Sequence, residues 1–254
     1  MKDQVIVITG ASSGIGLALA EICAGRGARV VLAARRDKEL EAVATKIGGL
    51  AVPTDVTRRA EIDRLRDRAV AAHGRIDVWV ANAGRGISRP LLQLTDADID
   101  DMIATNVKSV VYGMQAVVPV FRERQRGHHI TVSSMLARIP FAPVRSAYSA
   151  AKAAVTSLST TLRLELSHEP DIHISTVFPG IVATDFGTNA LHGGFDSRKL
   201  PNAQPVGEVA QAIANLIERP RAEIYTRGQA HEMIARYYTS DDVADVEKQF
   251  QFPR

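Results

Sequence analysis

Seven short runs rich in β-branched residues, each followed by a longer stretch of helical period, constrain this chain more than any other feature. The runs fall at 5–9, 29–34, 50–52, 77–81, 129–133, 172–178 and 223–226. Between them apolar residues recur at helical spacing, as at Ile15, Leu19, Ile22 and Cys23, or Ile62, Leu65, Ala69 and Ala72. Strands alternating with helices connect by right-handed crossovers, which set neighbouring strands parallel and put helices on both faces. The pattern predicts an α/β, doubly wound, mostly parallel seven-stranded sheet in a single domain over 1–254. Gly25, Gly27, Gly74 and Pro170 mark helix ends. Two long connections, 85–93 and 183–204, break the rhythm. Loops as long as the second are uncommon in compact domains and serve as lids or binding loops. It follows a strand, and open α/β sheets bind ligands at the carboxyl ends of their strands.

Composition narrows the partners. With 31 Lys and Arg against 28 Asp and Glu, the net charge of +3 is small and spread without a basic stripe. The cluster Arg122, Arg124, Arg126, His128 and His129 reads as a solvated helix end, so no nucleic-acid partner is expected. Cys23 is the only cysteine, which excludes an intramolecular disulfide and a cysteine zinc site and fits a cytoplasmic, reducing home. Both Cys23 and Trp79 are read as core. The apolar run at 5–8 is too short for a secretion signal. The stretch 107–121 is interrupted by Lys108, Ser109, Gln115 and Pro119, so no membrane span is expected. None of His73, His128, His129, His168, His173, His192 and His231 has metal-ligand spacing. They are read as surface or hydrogen-bonded residues, and no metal is expected.

The first strand runs directly into Thr9-Gly10-Ala11-Ser12-Ser13-Gly14-Ile15-Gly16. Glycines between a strand and a helix allow a tight turn, close approach of a diphosphate and close helix packing, with the helix amino terminus facing the anion. The Gly-Lys-Ser/Thr ending of a triphosphate-binding loop is missing. At the end of the second strand, where a carboxylate would select a free ribose 2′-hydroxyl, the chain reads Ala34-Arg35-Arg36. Two guanidiniums there suit a 2′-phosphate, so NADP(H) is expected in preference to NAD(H).

Tyr148 and Lys152, four apart in Tyr148-Ser149-Ala150-Ala151-Lys152, project from one helix face. A cation beside a phenol lowers a pKa that is ordinarily near 10, which poises the phenol to exchange protons. A serine at 133 or 134, ending a strand, supplies a hydroxyl for a substrate oxygen.

These elements, in this order over nearly the whole chain, resemble the short-chain dehydrogenase/reductase family. The resemblance rests on Thr9 to Gly16, Asp55-Val56, Asn82-Ala83-Gly84, Asn106, the Ser134/Tyr148/Lys152 set, and Pro179-Gly180 followed by Thr184. It implies a Rossmann fold and hydride transfer between NADP(H) and a carbonyl or secondary alcohol. It further implies that Gly10, Ser12, Ser13, Gly14, Ile15, Gly16, Arg35 and Arg36 bind the cofactor. Asp55 and Val56 would edge the adenine, Asn82, Ala83 and Gly84 would support the cofactor wall, and Pro179, Gly180, Val182 and Thr184 would meet the nicotinamide. By the same likeness Tyr148 is the general acid/base, Ser134 orients the carbonyl, Lys152 holds the ribose and lowers the Tyr148 pKa, and Asn106 holds a water. A homodimer or homotetramer is implied as well.

This chain departs from the family pattern in three places. Ser134 lies 14 residues before Tyr148, one more than is common in the family, which leaves Ser133 open as the catalytic serine. Ser13 replaces the basic residue that often precedes the second glycine, so Arg35 must carry the phosphate preference. The Asp-Gly-Gly ending of fatty-acid ketoreductases is missing, which argues against an acyl-carrier substrate. Phe186, Leu191, Phe195 and Leu200 in the long loop either line a hydrophobic ketone or aldehyde pocket or anchor the loop and a subunit contact. Arg89, Arg138 and Arg145 offer a second substrate class, a carboxylate. The alternatives to an enzyme of this type are a non-catalytic NADP(H) sensor and a nucleotide-sugar epimerase.

Overall fold

The computed structural model describes residues 1–250. Its strands are β1 (Val5–Thr9), β2 (Arg29–Ala34), β3 (Leu50–Pro53), β4 (Val78–Ala81), β5 (Gly127–Val132), β6 (Ile172–Phe178) and β7 (Glu223–Tyr225). They form one sheet in the order β3-β2-β1-β4-β5-β6-β7. Every pairing is parallel, so the "mostly parallel" expectation tightens to wholly parallel among the described residues. The strand order reverses between β1 and β4, which opens a crevice at their carboxyl ends.

The helices are α1 (Gly14–Gly25), α2 (Asp37–Ile47), α3 (Arg59–His73), α4 (Asp96–Ile103), α5 (Ser109–Glu123), α6 (Ser146–Glu165), α7 (Val206–Glu218), α8 (Ala230–Tyr238) and α9 (Val243–Glu247). Ile6 and Ile8 of β1 face a core shared with α1, α2 and α7; Val5 and Val7 face one shared with α3, α5 and α6. A sheet covered on both sides needs strands apolar at every position, and β1 is buried throughout. Gly48 and Gly74 end α2 and α3 in the left-handed conformation that residues with a Cβ resist. Trp79 is fully buried against α5, where Gly113 leaves it room: a Cβ there would stand 2.7 Å from the indole nitrogen. Cys23 packs in the core, and burial pushes its thiol up to about 12.

Four strands differ from expectation at their ends, β3 by running one residue further, to Pro53. β4 starts at Val78 because the Asp77 carboxylate is engaged with the Val5 N–H, Arg75 and Arg124. β5 begins at Gly127 and ends at Val132, which moves His128 and His129 from a helix end into the middle of the sheet. β7 ends one residue early, at Tyr225. His128 Nε2 lies 2.7 Å from Ser175 Oγ, but neither ring nitrogen of the fully buried His129 has a partner, so it is neither at the surface nor hydrogen-bonded. Burial pushes both rings down to about 3, leaving them neutral. Arg122 and Arg124 are held by Glu169 and Asp77 and not simply solvated. Among the described residues, no helix is long and apolar enough to cross a membrane, and no His/Cys/Asp/Glu group could hold a metal.

Candidate active site

The glycine turn is held from the neighbouring strand. Asn82, just past β4, donates from Nδ2 to the Thr9 carbonyl (2.9 Å) and the Gly10 carbonyl (3.3 Å). The Thr9 hydroxyl accepts the N–H groups of Asn82 and Ala83. Gly10 and Gly14 have φ of +68° and +56°, and a Cβ on Gly16 would collide with the Gly10 carbonyl and the Asn82 amide. Ser13 stands at the N-cap of α1 without capping it, and no acid occupies the first turn, so Ile15 and Gly16 open a helix whose N–H groups suit an anion.

Arg35 and Arg36 are exposed at the end of β2, and Arg36 donates to the Ser12 hydroxyl at 2.9 Å. The two ends of this edge therefore touch. Next to it, burial raises the Asp55 carboxyl, but hydrogen bonds from Thr57 and the charges of Arg35 and Arg58 outweigh burial and leave it below its ordinary value. Val56 beside it is buried.

The carboxyl end of β5 and the first turns of α6 meet at Ser134, Tyr148 and Lys152. The Ser134 hydroxyl faces the Tyr148 phenol closely enough to favour its ionised form, and its Oγ accepts the Leu136 N–H at 3.2 Å. Ser133 points elsewhere: its hydroxyl donates to the Lys152 carbonyl (3.1 Å) and lies 2.9 Å from Thr156 Oγ1. The Ser133 hydroxyl is thereby committed to the backbone and hydroxyl of α6, whereas that of Ser134 is turned towards Tyr148. Between them, the 3₁₀ turns Met135–Ala137 and Pro143–Arg145 take up the 14-residue spacing.

Lys152 is buried, donates to the Val132 carbonyl at 2.9 Å and stands 5.7 Å from the centre of the Tyr148 ring. Burial pushes its ammonium down to about 8. It does not depress the phenol as expected: burial pushes Tyr148 up to about 12, and the opposing influences are the Ser134 hydrogen bond and the Arg145 charge. The Lys152 ammonium is turned to the Val132 carbonyl.

Asn106 is fully buried in a π-turn, Ala104–Lys108, between α4 and α5. Its side chain accepts the Arg85 N–H and donates to the Arg85 and Met102 carbonyls, so the amide clamps the turn after β4. Gly84 sits between it and Lys152: a Cβ there would lie 2.9 Å from Asn106 Oδ1 and 3.4 Å from Lys152 Nζ. π-turns inside helices are rare and concentrate at functional sites.

After β6 the Pro179 carbonyl accepts the Met135 N–H, and Gly180 leads into the long loop. Val182 pairs with Gln204 at the base of that loop, and Thr184 abuts the glycine turn, its methyl 3.5 Å from a Cβ on Gly14. The buried Ser197 hydroxyl fastens the later part of the loop to its start by bonding the Val182 and Thr184 carbonyls. Further out, Leu191 pairs with Ile87, and His192 Nε2 lies 2.7 Å from Asp98, which also binds Arg89. The Phe186 ring stands 5.5 Å from that of Tyr148, Leu191 packs with Ile87 and Tyr148, and Phe195 lies 5.5 Å from the Arg145 guanidinium. Three of the four apolar loop residues thus face the site; Leu200 sits half-buried at the far end. Ser197, Asp98 and His192 gave no signal in sequence, because each acts through a contact with a distant segment.

The model of the short chain dehydrogenase family matches residues 4–193. An uncharacterised oxidoreductase of Listeria innocua is 39% identical over 191 residues, 73% of this chain and 77% of its own. Among solved structures, a short-chain dehydrogenase from Sphingobium yanoikuyae in complex with NADPH is 29% identical with a TM-score of 0.81, covering 99% of this chain and 96% of its own. A 3-ketoacyl-(acyl-carrier-protein) reductase from Brucella melitensis complexed with NADH is 27% identical with a TM-score of 0.80, over 90% of this chain and 99% of its own.

Proposed function

Since the chain belongs to the short chain dehydrogenase family of oxidoreductases, which uses a nicotinamide dinucleotide, we propose that it interconverts a carbonyl and a secondary alcohol with NADP(H) in preference to NAD(H). The observation that carries this reading is the Ser134 hydroxyl facing the Tyr148 phenol, with Lys152 one helical turn on and beside a turn where Gly10, Gly14 and Gly16 leave the backbone bare.

The cofactor fits what the chain offers. Gly10, Ser12, Ser13, Gly14, Ile15 and Gly16 provide a close backbone approach and an uncapped helix start for the diphosphate. Arg35 and Arg36 take the 2′-phosphate, Asp55 and Val56 border the adenine, and Asn82, Ala83 and Gly84 form the wall. Pro179, Gly180, Val182 and Thr184 hold the nicotinamide end. When bound, the cofactor supplies or accepts the hydride. Ser134 orients the substrate oxygen, and Tyr148 gives it a proton or takes one from it. Lys152 would hold the nicotinamide ribose, and its cation would favour the phenolate. Asn106 keeps Gly84 and Arg85 in place between the two. Phe186, Leu191 and Phe195 surround the substrate with apolar groups and exclude water.

We read the chain as one domain that works in the cytoplasm as a homodimer or homotetramer. Exposed leucines at 91, 92 and 164 support self-association. The deciding experiment is Tyr148→Phe, which should lower turnover about 1,000-fold or more while cofactor binding, followed by nicotinamide fluorescence, is kept. Retained turnover overturns the assignment.

A further inference from the structure

Of the three arginines near the site, two are committed to acids. Arg89 binds Asp98 at 2.9 Å, and Arg138 binds Glu223 at 2.6 Å while lying over Phe178. Arg145 is different. It is 94% buried at 6% relative exposure, Nη1 has no hydrogen-bond partner, and no carboxylate forms an ion pair with it among the described residues. Its one aromatic contact is Phe195, 5.5 Å away. Leaving a guanidinium buried without a counter-charge is costly, and such a group persists where a ligand completes it.

Bare backbone closes around the guanidinium. A Cβ on Gly86 would collide with Arg145 Nη1; on Gly194 it would stand 3.2 Å from Nη2, and on Gly187 3.8 Å. Glycines from the loop after β4 and from the long loop therefore converge on one guanidinium. Arg145 precedes Tyr148 by three residues at the start of α6, and Phe186 bridges the two, contacting the Gly86 position and the Tyr148 ring. The cation and the phenol thus lie close enough for the Arg145 charge to act on Tyr148.

We propose that Arg145 is the substrate-recognition residue of this site, and that the substrate is an oxo or hydroxy acid whose carboxylate, a few bonds from the reacting carbon, pairs with this guanidinium. The inference rests on the oxidoreductase reading above and adds the substrate class. The carboxylate is not consumed: it anchors the molecule so that its carbonyl or hydroxyl lies against Ser134 and Tyr148. Planar, bidentate recognition of carboxylate is what a guanidinium provides and an ammonium does not.

The test compares pyruvate, acetoacetate and 4-oxopentanoate with their methyl esters, using wild type, Arg145→Met and Arg145→Lys. For the best acid, wild type should prefer acid over ester by about 100-fold in kcat/KM. Arg145→Met should erase that ratio mainly through KM, and Arg145→Lys should restore it in part. A merely structural role for Arg145 would lower acid and ester turnover together and would overturn the proposal, as would a wild type that prefers the esters. A second measurement needs no turnover: calorimetric titration of butyrate and butyramide into the cofactor-bound protein. Binding of butyrate alone, lost in Arg145→Met, sustains the carboxylate site even if the oxidoreductase reading fails. Equal binding of acid and amide, or binding of neither, overturns it.

Discussion

The two halves of the crevice are built differently. On the β1–β2 side the site is made of backbone: glycines at 10, 14 and 16, an uncapped helix start, and Asn82 holding the turn from below. Its two arginines are exposed. Over β4 to β6 the site is made of side chains from distant segments: Ser134, Tyr148 and Lys152, the Asp98 hub that joins Arg89 to His192, and the Ser197 clip. The contrast follows the ligands proposed for each side. A diphosphate is the same in every turnover, and N–H groups meet it with nothing but chain geometry. A substrate differs from one enzyme to the next, and loops tied by long-range contacts can change without disturbing the sheet.

The comparison can be broken most forcefully at Gly16. Gly16→Val should cost about 1,000-fold or more in cofactor affinity, on the order of 4 kcal/mol, because its side chain meets the Gly10 carbonyl and the Asn82 amide. Calorimetric titration with NADPH checks this, and near-normal affinity would mean that the turn is not the binding element.

Lys152 sharpens the contrast through pH. Its buried ammonium titrates at about 8 in the folded chain against 10.5 ordinarily. Below the folded value both states are charged and folding bears the cost of burying the charge; above the ordinary value both are neutral and the cost is gone. Stability should rise with pH across that window by up to about 3 kcal/mol relative to Lys152→Met. Urea denaturation of both proteins between pH 7 and 10.5 measures the difference, and parallel profiles would contradict it.

On the backbone side, Arg35→Ala should weaken NADPH binding by about 1 to 3 kcal/mol, as for a lost charge-assisted hydrogen bond, and leave NADH nearly unchanged. Equal losses for both cofactors would remove the phosphate preference. The smallest effect is expected at the loop hub. The Thr95 N–H, His192 and Arg89 hold the Asp98 carboxyl well below the usual carboxylate range despite some desolvation. His192→Ala should raise KM a few-fold with kcat kept and speed limited proteolysis within 183–204. Unchanged cleavage would show that the tether does not hold the loop.

Much of this molecule was legible before folding. The alternation of apolar runs with helical spacing located all seven strands because a sheet buried on both faces demands apolar residues without interruption. Gly16 and Tyr148 announced themselves through neighbours in sequence. The errors have one cause. His128 and His129 look polar and local, yet their strand lies under helices on both sides, and no short-range pattern reports that burial. Four residues separate Tyr148 from Lys152, but that spacing says nothing of the Val132 carbonyl that takes the ammonium or of the burial of the phenol.

The sequence by itself determined the largely apolar strands, their crossovers and the glycine turn, since each depends on residue type and near spacing. Only the tertiary structure decided that the Ser133 hydroxyl is taken up by Lys152 and Thr156, that Arg89 and Arg138 are neutralised by Asp98 and Glu223, and that Arg145 is left buried without an acid. Partners up to 85 positions apart settle those questions. Desolvation and pairing are properties of the assembled neighbourhood, and no residue carries them in its own name.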